Sequence, residues 1–381
     1  MDFAWTEEQQ GFREELIRFG RRELNEDVVR RDAHEEFPRE AWKRCAALGI
    51  QGLPVPEEYG GGGADPLTIV GALEALGYAC RDNGFLFSLN AHMWSCETPL
   101  VAFGTEEQKR RYLPGLADGS LIGVQAMTEP ESGSDAFSLS TTARSEGDGF
   151  VLRGTKAFIT NAPVADVFVV FATTDPAKGL AGLCAFVVDG DAPGLSVGPP
   201  VHKMGLRTSP MAEVVFEDVP VAGAALLGGI GAGMAVFNHS MEWERSCILA
   251  CAVGTMQRQV ERCVSYARER KQFGRPIGDF QSVSGRIVGM KLRLETSRLL
   301  LYHLAWLKGR GRKAGMEAAM VKLHLSEAFV RSSMDAVQIH GAAGYTTDLE
   351  LERDLRDAVA SRIYSGTSEI QRNIVAAHLG L

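Results

Sequence analysis

Glu244 is the residue of this 381-residue chain whose type fits its setting least. It lies in the run Glu242-Trp243-Glu244-Arg245. On a helix its i+3 and i+4 neighbours are Cys247 and Ile248, and the same stripe continues through Cys251 and Thr255. Burying a carboxylate on such a face is costly unless it is paired. A carboxyl held there has a raised pKa, which suits a general base working near neutral pH. A hydrated first-turn glutamate, favoured by the helix dipole, is the competing reading.

Four other segments place small, hydroxyl or basic residues where a polar ligand could reach the backbone. Residues 125–135 read Gln-Ala-Met-Thr-Glu-Pro-Glu-Ser-Gly-Ser-Asp, a source of hydroxyls and free N–H groups or a plain loop. Gln338-Ile339-His340-Gly341-Ala342-Ala343-Gly344-Tyr345 offers either helix termination or close approach of backbone to a phosphate. Arg270-Lys271-Gln272-Phe273-Gly274 follows a helical stretch, so Arg270 is a solvated helix-end charge or a phosphate clamp. In Tyr364-Ser365-Gly366-Thr367-Ser368-Glu369-Ile370-Gln371, Thr367 is a good N-cap for the last helix, whose start favours negative charge.

Other chemistries are excluded by spacing. Gly228-Gly229-Ile230-Gly231-Ala232-Gly233 fails the dinucleotide fingerprint, because Met234 stands where its third glycine belongs. There is no P-loop, HExxH, zinc spacing or Gly-x-Ser-x-Gly elbow, and no metal site is expected.

The elements that must position these residues change character twice. Residues 1–121 read as helices: a capping box at Thr6-x-x-Gln9, a helix from Pro38, one over 67–80, and one opened by Gly104-Thr105 and ending near Pro114-Gly115. Residues 122–230 read as an antiparallel β-domain, with short strands at 150–152, 157–159, 167–171, 183–188 and 213–216. Residues 231–381 return to long helical periods near 233–271, 280–310, 314–341, 348–360 and 368–378. No apolar run is long enough for a membrane span, and the N-terminus has no basic-then-apolar signal pattern. Seven cysteines without a CxxC pair fit a reducing, cytoplasmic setting. Residues 231–381 carry 21 Lys+Arg against 15 Asp+Glu, although the whole chain is at −8. That basic part suits a phosphate-bearing cofactor or an acidic partner, and equally solvated arginine faces. Nucleic-acid binding is not expected at a pI of about 5.6.

Together these segments resemble the acyl-CoA dehydrogenase superfamily over essentially the whole chain. The matching stretches are 125–135, Lys156-Ala157-Phe158-Ile159-Thr160-Asn161, Arg270 to Gln281, 338–345 and 364–371. The resemblance implies an α+β fold of three domains: an N-terminal helical domain, a middle antiparallel β-domain and a C-terminal four-helix-bundle-like domain. It implies FAD as cofactor and a homotetramer or dimer that shares its FAD sites. Met127, Thr128 and Ser134 resemble contacts to the flavin ring and diphosphate. Phe158 stands where many members have Trp beside the flavin, and Thr160 resembles the residue on the ring edge. Arg270, Gln272, Phe273 and Gln281 resemble residues holding a neighbouring subunit's FAD. Gln338, Gly341 and Ala342 resemble the segment on that neighbour's pyrophosphate, with Ala342 departing from the commoner Gly. Thr367 and Glu369 resemble residues near the adenosine diphosphate.

One departure carries information. Many members place the catalytic Glu between the Tyr and Gly of the last motif, where this chain has Ser365. A minority carries the base on the long helix in a Glu-Arg pair, the pattern of Glu244-Arg245. The resemblance therefore implies Glu244 as base and the Ser365 backbone N–H as a donor to the thioester oxygen. Asn161 to Asp166, Met241 to Arg245 and Tyr364 to Thr367 are similar to enzymes of natural-product pathways that oxidise acyl groups on a carrier protein, prolyl groups included. The expected function is FAD-dependent α,β-dehydrogenation of an acyl thioester, carrier-bound or on CoA. A short- or branched-chain acyl-CoA dehydrogenase and a non-catalytic flavin-binding subunit are the alternatives.

Overall fold

The computed structural model describes residues 4–381. The first layer is helical: α1 (Glu7–Glu23), α2 (Val28–His34), α3 (Arg39–Ala47), α4 (Pro66–Ala79), α5 (Asn83–His92), α6 (Thr98–Phe103) and α7 (Glu106–Ala117). A single π-helical stretch, Met93–Glu97, joins α5 to α6. The starts are chemically marked. Thr6 with Gln9, and Thr105 with Gln108, close capping boxes on α1 and α7, and Asp65 caps α4 ahead of Pro66. The helix expected to end near Pro114 runs on to Ala117. Proline removes one hydrogen bond there, but Leu116 and Ala117 are buried and their packing carries the last turn.

The middle layer is one sheet of β1 (Gly123–Ala126), β2 (Thr142–Glu146), β3 (Gly149–Thr160), β4 (Val167–Thr173), β5 (Leu183–Asp189), β6 (Leu195–Val197), β7 (Met211–Ala222) and β8 (Leu226–Leu227). The strand order is β6-β7-β3-β2-β4-β5-β8, with β1 laid along β4. Two expectations need correction. The sheet is mixed rather than antiparallel, because β1 and β2 both pair parallel to β4. The runs at 150–152 and 157–159 are one strand, β3, interrupted by register shifts after Leu152 and after Lys156. The first shift sits at Gly154, where a Cβ would come within 2.5 Å of Thr141 Oγ1. β4, apolar up to its last residue Thr173, is buried along its whole length, with separate apolar clusters on its two faces.

The last layer is α8 (Gly233–Cys247), α9 (Ala250–Glu269), a hairpin of β9 (Lys271–Gln272) and β10 (Arg275–Pro276), then α10 (Gln281–Lys308), α11 (Gly315–His340), α12 (Ala342–Tyr345), α13 (Leu351–Ala360) and α14 (Ser368–His378). The expected single helix over 233–271 is broken at Ile248–Leu249. Both residues are buried, and the bend lets α8 pack on α6 while α9 packs on α4. That second packing is backbone to backbone. A Cβ on Gly77 would lie 1.9 Å from the Cys251 carbonyl oxygen, and one on Gly254 would lie 2.0 Å from that of Glu74. One apolar cluster thus runs through both helical layers, from Leu73 and Leu76 to Val253, Met256 and Leu301. It fixes α8, and with it Glu244.

Candidate active site

Glu244 sits in the last turn of α8, not the first, so the helix dipole does not stabilise its charge. It is 8% exposed. Ser365 Oγ donates to its Oε1. Burial pushes its pKa above the ordinary carboxylate range, while the Ser365 bond and the Arg245 and Lys322 charges pull the other way. The Glu244-Arg245 pair is split by function as well as direction. The Arg245 Nε donates to the Ser365 carbonyl at 3.3 Å instead of pairing with the carboxylate.

The turn facing Glu244 is strained and held. Ser365 has φ +54° and Gly366 φ +86°. A left-handed serine costs about 1–2 kcal/mol, and polar groups fix it in place. Gln371 Nε2 donates to the Ser365 carbonyl at 3.0 Å and to the Gly366 carbonyl at 2.9 Å. Lys322 Nζ donates to the Gly366 carbonyl at 2.6 Å. The Ser365 N–H donates to no group among the described residues. A free amide beside a buried carboxyl is a pair able to polarise a carbonyl and remove the proton α to it. Thr367 caps α14 by accepting from the Ile370 N–H, and Glu369 lies exposed in that first turn.

The second group lies on the sheet. The Met127 carbonyl accepts from Lys156 Nζ at 3.1 Å, and Lys156 pairs with Glu129 at 2.8 Å. Glu129 also accepts the N–H groups of Ser140 and Thr141. Burial tends to raise its pKa, but Lys156 and these donors hold it down at about 2. Burial brings Lys156 down to about 8 against the pull of Glu129, so the pair is ionised at neutral pH. The Ala157 N–H to the Thr128 carbonyl, 2.8 Å, ties the same loop to β3. At the second register shift Phe158 takes φ +57° and stands 59% exposed. The side-chain hydroxyls of Thr128, Ser134 and Thr160 bond to nothing among the described residues. An aromatic ring held out of the sheet beside free hydroxyls suits the face and edge of a planar, hydrogen-bonding ring system such as a flavin.

The third group is at the far end of α9. Arg270 caps that helix, and Phe273 at the hairpin tip has φ +52° and is 92% exposed. Gln272 and Gln281 are exposed beside it. Tyr266 stacks on His340 with ring centroids 4.2 Å apart, which brings the ends of α9 and α11 together. Gln338 and Ala342 are exposed there, and Gly341 has φ +60° and ψ −136°, with open space where a Cβ would point. No hydrogen bond or ion pair among the described residues joins this third group to the sheet group. Sequence reading missed Glu129, Lys156, Lys322 and Gln371. For Lys322 a signal existed: its i−4, i−3, i+3 and i+4 neighbours are Ala318, Ala319, Leu325 and Ser326, the same kind of stripe that singled out Glu244.

Comparison with known proteins finds relatives over the whole chain. Residues 6–120, 124–219 and 231–380 match the N-terminal, middle and C-terminal domains of acyl-CoA dehydrogenase. The chain is 42% identical over 381 residues to an L-prolyl-[peptidyl-carrier protein] dehydrogenase of Serratia sp. (strain ATCC 39006), covering 100% of this chain and 99% of that one. The crystal structure of the prolyl acyl carrier protein oxidase AnaB superposes with a TM-score of 0.98 at 50% identity, covering 99% of this chain and 100% of that one. The FAD complex of PigA superposes with a TM-score of 0.97 at 42% identity, with 100% of both chains covered. The three-layer α–β–α architecture, the full-length matches and the domain order together establish that this chain belongs to the acyl-CoA dehydrogenase family.

Proposed function

We propose that this enzyme is an FAD-dependent dehydrogenase of an acyl thioester tethered to a carrier protein, with a prolyl group as the acyl unit. The observation that carries the reading is the buried Glu244 carboxyl beside the unpartnered Ser365 N–H. The substrate class rests on the prolyl relatives, which match over the full chain at 42–50% identity. FAD, when bound, accepts the hydride that leaves the carbon or nitrogen next to the α-carbon. Glu244 takes the α-proton. Its burial makes the carboxylate a stronger base than a hydrated one. The Ser365 N–H donates to the thioester oxygen as negative charge gathers there, which lowers the barrier to proton loss. The strained backbone of Ser365 is set before substrate arrives, so no reorganisation is needed during the reaction.

Phe158, Thr160, Met127, Thr128 and Ser134 would hold the flavin end. Thr367 and Glu369 would lie toward the adenosine diphosphate. Arg270, Gln272, Phe273, Gln281, Gln338, Gly341 and Ala342 would reach the FAD of a second copy of the chain, in a dimer or tetramer. The joints between domains fall near residues 121 and 230. A cytoplasmic location is consistent with seven free, buried cysteines. No helix among the described residues is long and apolar enough to cross a membrane.

The test is anaerobic bleaching of the bound flavin with matched prolyl thioesters, one on a carrier protein and one on CoA. Bleaching by the carrier-bound form at rates well above the CoA form is expected. Preference for free CoA thioesters would overturn the carrier assignment and favour an ordinary acyl-CoA dehydrogenase.

A further inference from the structure

Lys322 is a buried lysine without an ion-pair partner among the described residues. It is 0% exposed, on α11, and its ammonium donates to the Gly366 carbonyl and to no other group among the described residues. It makes no salt bridge among those residues. Its Nζ faces the Tyr364 ring at 5.7 Å from the centroid, and that ring is backed by Phe87 at 4.5 Å. A buried lysine in a helix that only needed packing would be replaced at a gain by an apolar residue of similar volume. Here the cation touches the turn that carries the Ser365 amide, and the Ser365 hydroxyl of that turn bonds the proposed base.

We infer that Lys322 is a positioning residue for the reaction: it holds the Ser365–Gly366 turn by the Gly366 carbonyl, and its charge favours a charged carboxylate at Glu244. This rests on the reading of Glu244 as base. The turn needs such a hold because Ser365 is left-handed, and a neutral donor already serves it. Gln371 donates to the same two carbonyls. The charge is what Lys322 adds. The charged and titratable groups facing the pair come from each packed element. Arg245 adjoins Glu244 on α8, Ser365 and Tyr364 face it from the turn, Glu327 follows Lys322 on α11, and Glu369 lies on α14. Burial, then Arg245, pull the Lys322 pKa down to about 7, with Glu244, Glu327 and Glu369 opposing. In its charged form Lys322 favours the ionised Glu244 carboxyl, and the sign follows. Removing the cation makes Glu244 harder to ionise.

Lys322→Met removes donor and charge. Lys322→Gln keeps a donor for Gly366 without the charge, and serves if the methionine variant does not fold. Gln371→Met removes a neutral donor alone. Two readouts are taken on FAD-loaded protein: the pH profile of kcat/KM, and infrared titration of the carboxyl band that disappears in Glu244→Gln. Both lysine variants are expected to move the acid limb and the carboxyl titration upward by about half a unit or more. A roughly tenfold drop in kcat is expected for Lys322→Met. Gln371→Met is expected to lower kcat with the limb unmoved. An unmoved carboxyl titration in both lysine variants overturns the proposal and leaves Glu244 as base intact. Wild-type turnover in Glu244→Gln overturns the base assignment, while the infrared titration still reports on Lys322.

Discussion

The Glu244–Ser365 region and the Phe273–Gly341 region are both strained, but only one is finished. Around Glu244 almost every polar group has a partner: the carboxyl has Ser365, the Ser365 carbonyl has Arg245 and Gln371, and the Gly366 carbonyl has Lys322 and Gln371. The Ser365 amide and the Gln371 Oε1 are exceptions, and on the proposed reading that amide would meet the substrate oxygen. Around Phe273 the strain is the same in kind, yet a 92%-exposed aromatic and an open glycine face outward. Strain costs free energy wherever it occurs, and it persists where something uses it. On the proposed reading, the user in the first region would be a small group entering from solvent. In the second an exposed aromatic and an open glycine suit another large surface, and on the proposed reading that surface would be a second copy of the chain.

The largest expected effect cuts the comparison at its root. Glu244→Gln keeps the size and the Ser365 contact but removes the base. A fall of about 10²–10⁴-fold in turnover is expected, with FAD content unchanged by absorbance. Turnover near wild type would break the assignment. Next is Lys156→Met. It leaves Glu129 as an uncompensated buried charge, and loss of one partner of such a pair costs about 3–5 kcal/mol. A lower Tm and weakened FAD retention are expected together, because Glu129 anchors the loop that carries Thr128 and Ser134. Loss of Tm with full FAD retention would separate that loop from the cofactor.

Phe273→Ala tests the unfinished region. The side chain touches little of its own chain beyond Phe280, whose ring centroid is 5.9 Å away. Secondary structure by circular dichroism is therefore expected to stay as it is. Retention of FAD is expected to weaken about tenfold, the loss of an interfacial aromatic contact worth roughly 1.4 kcal/mol. Assembly measured by sedimentation should loosen in parallel. Unchanged FAD retention would return Phe273 to the status of an exposed hairpin tip.

The two regions also differ in how far the sequence reveals them. Glu244 is visible because a carboxylate on an apolar stripe breaks the helical pattern, and its meaning sharpens because Ser365 stands where a Glu is expected. Thr367 is visible because N-caps are local. Lys156 is hidden inside a strand whose register shifts twice, so alternation cannot say which way it points. The parallel contact of β1 with β4 spans 44 residues of sequence from Gly123 to Val167, and no local signal encodes it. The break at Ile248–Leu249 is hidden as well, because no Gly or Pro marks it and only the packing of α8 on α6 and α9 on α4 requires it. Left-handed backbone at Phe158, Phe273 and Ser365 is unreadable in principle from residue type, since none of the three favours it.

Ser365 allows the smallest and most selective test, because its backbone and side chain do different work. Ser365→Ala keeps a Cβ, so the strain at φ +54° and the free N–H are retained and only the hydroxyl is lost. The bond to Glu244 Oε1 favours the ionised carboxylate. Its loss is worth about 1 kcal/mol, somewhat under one pH unit. The acid limb of kcat/KM is expected to move upward by that amount, with the plateau at higher pH unchanged. Ser365→Gly removes the same hydroxyl and also relieves about 1 kcal/mol of backbone strain. Its acid limb should match that of the alanine variant. Its plateau should fall, because a relaxed turn no longer holds the amide in place before the substrate arrives. If both variants keep the wild-type plateau, the strain in this turn has no part in catalysis, and the partnered region differs from the exposed one only in burial.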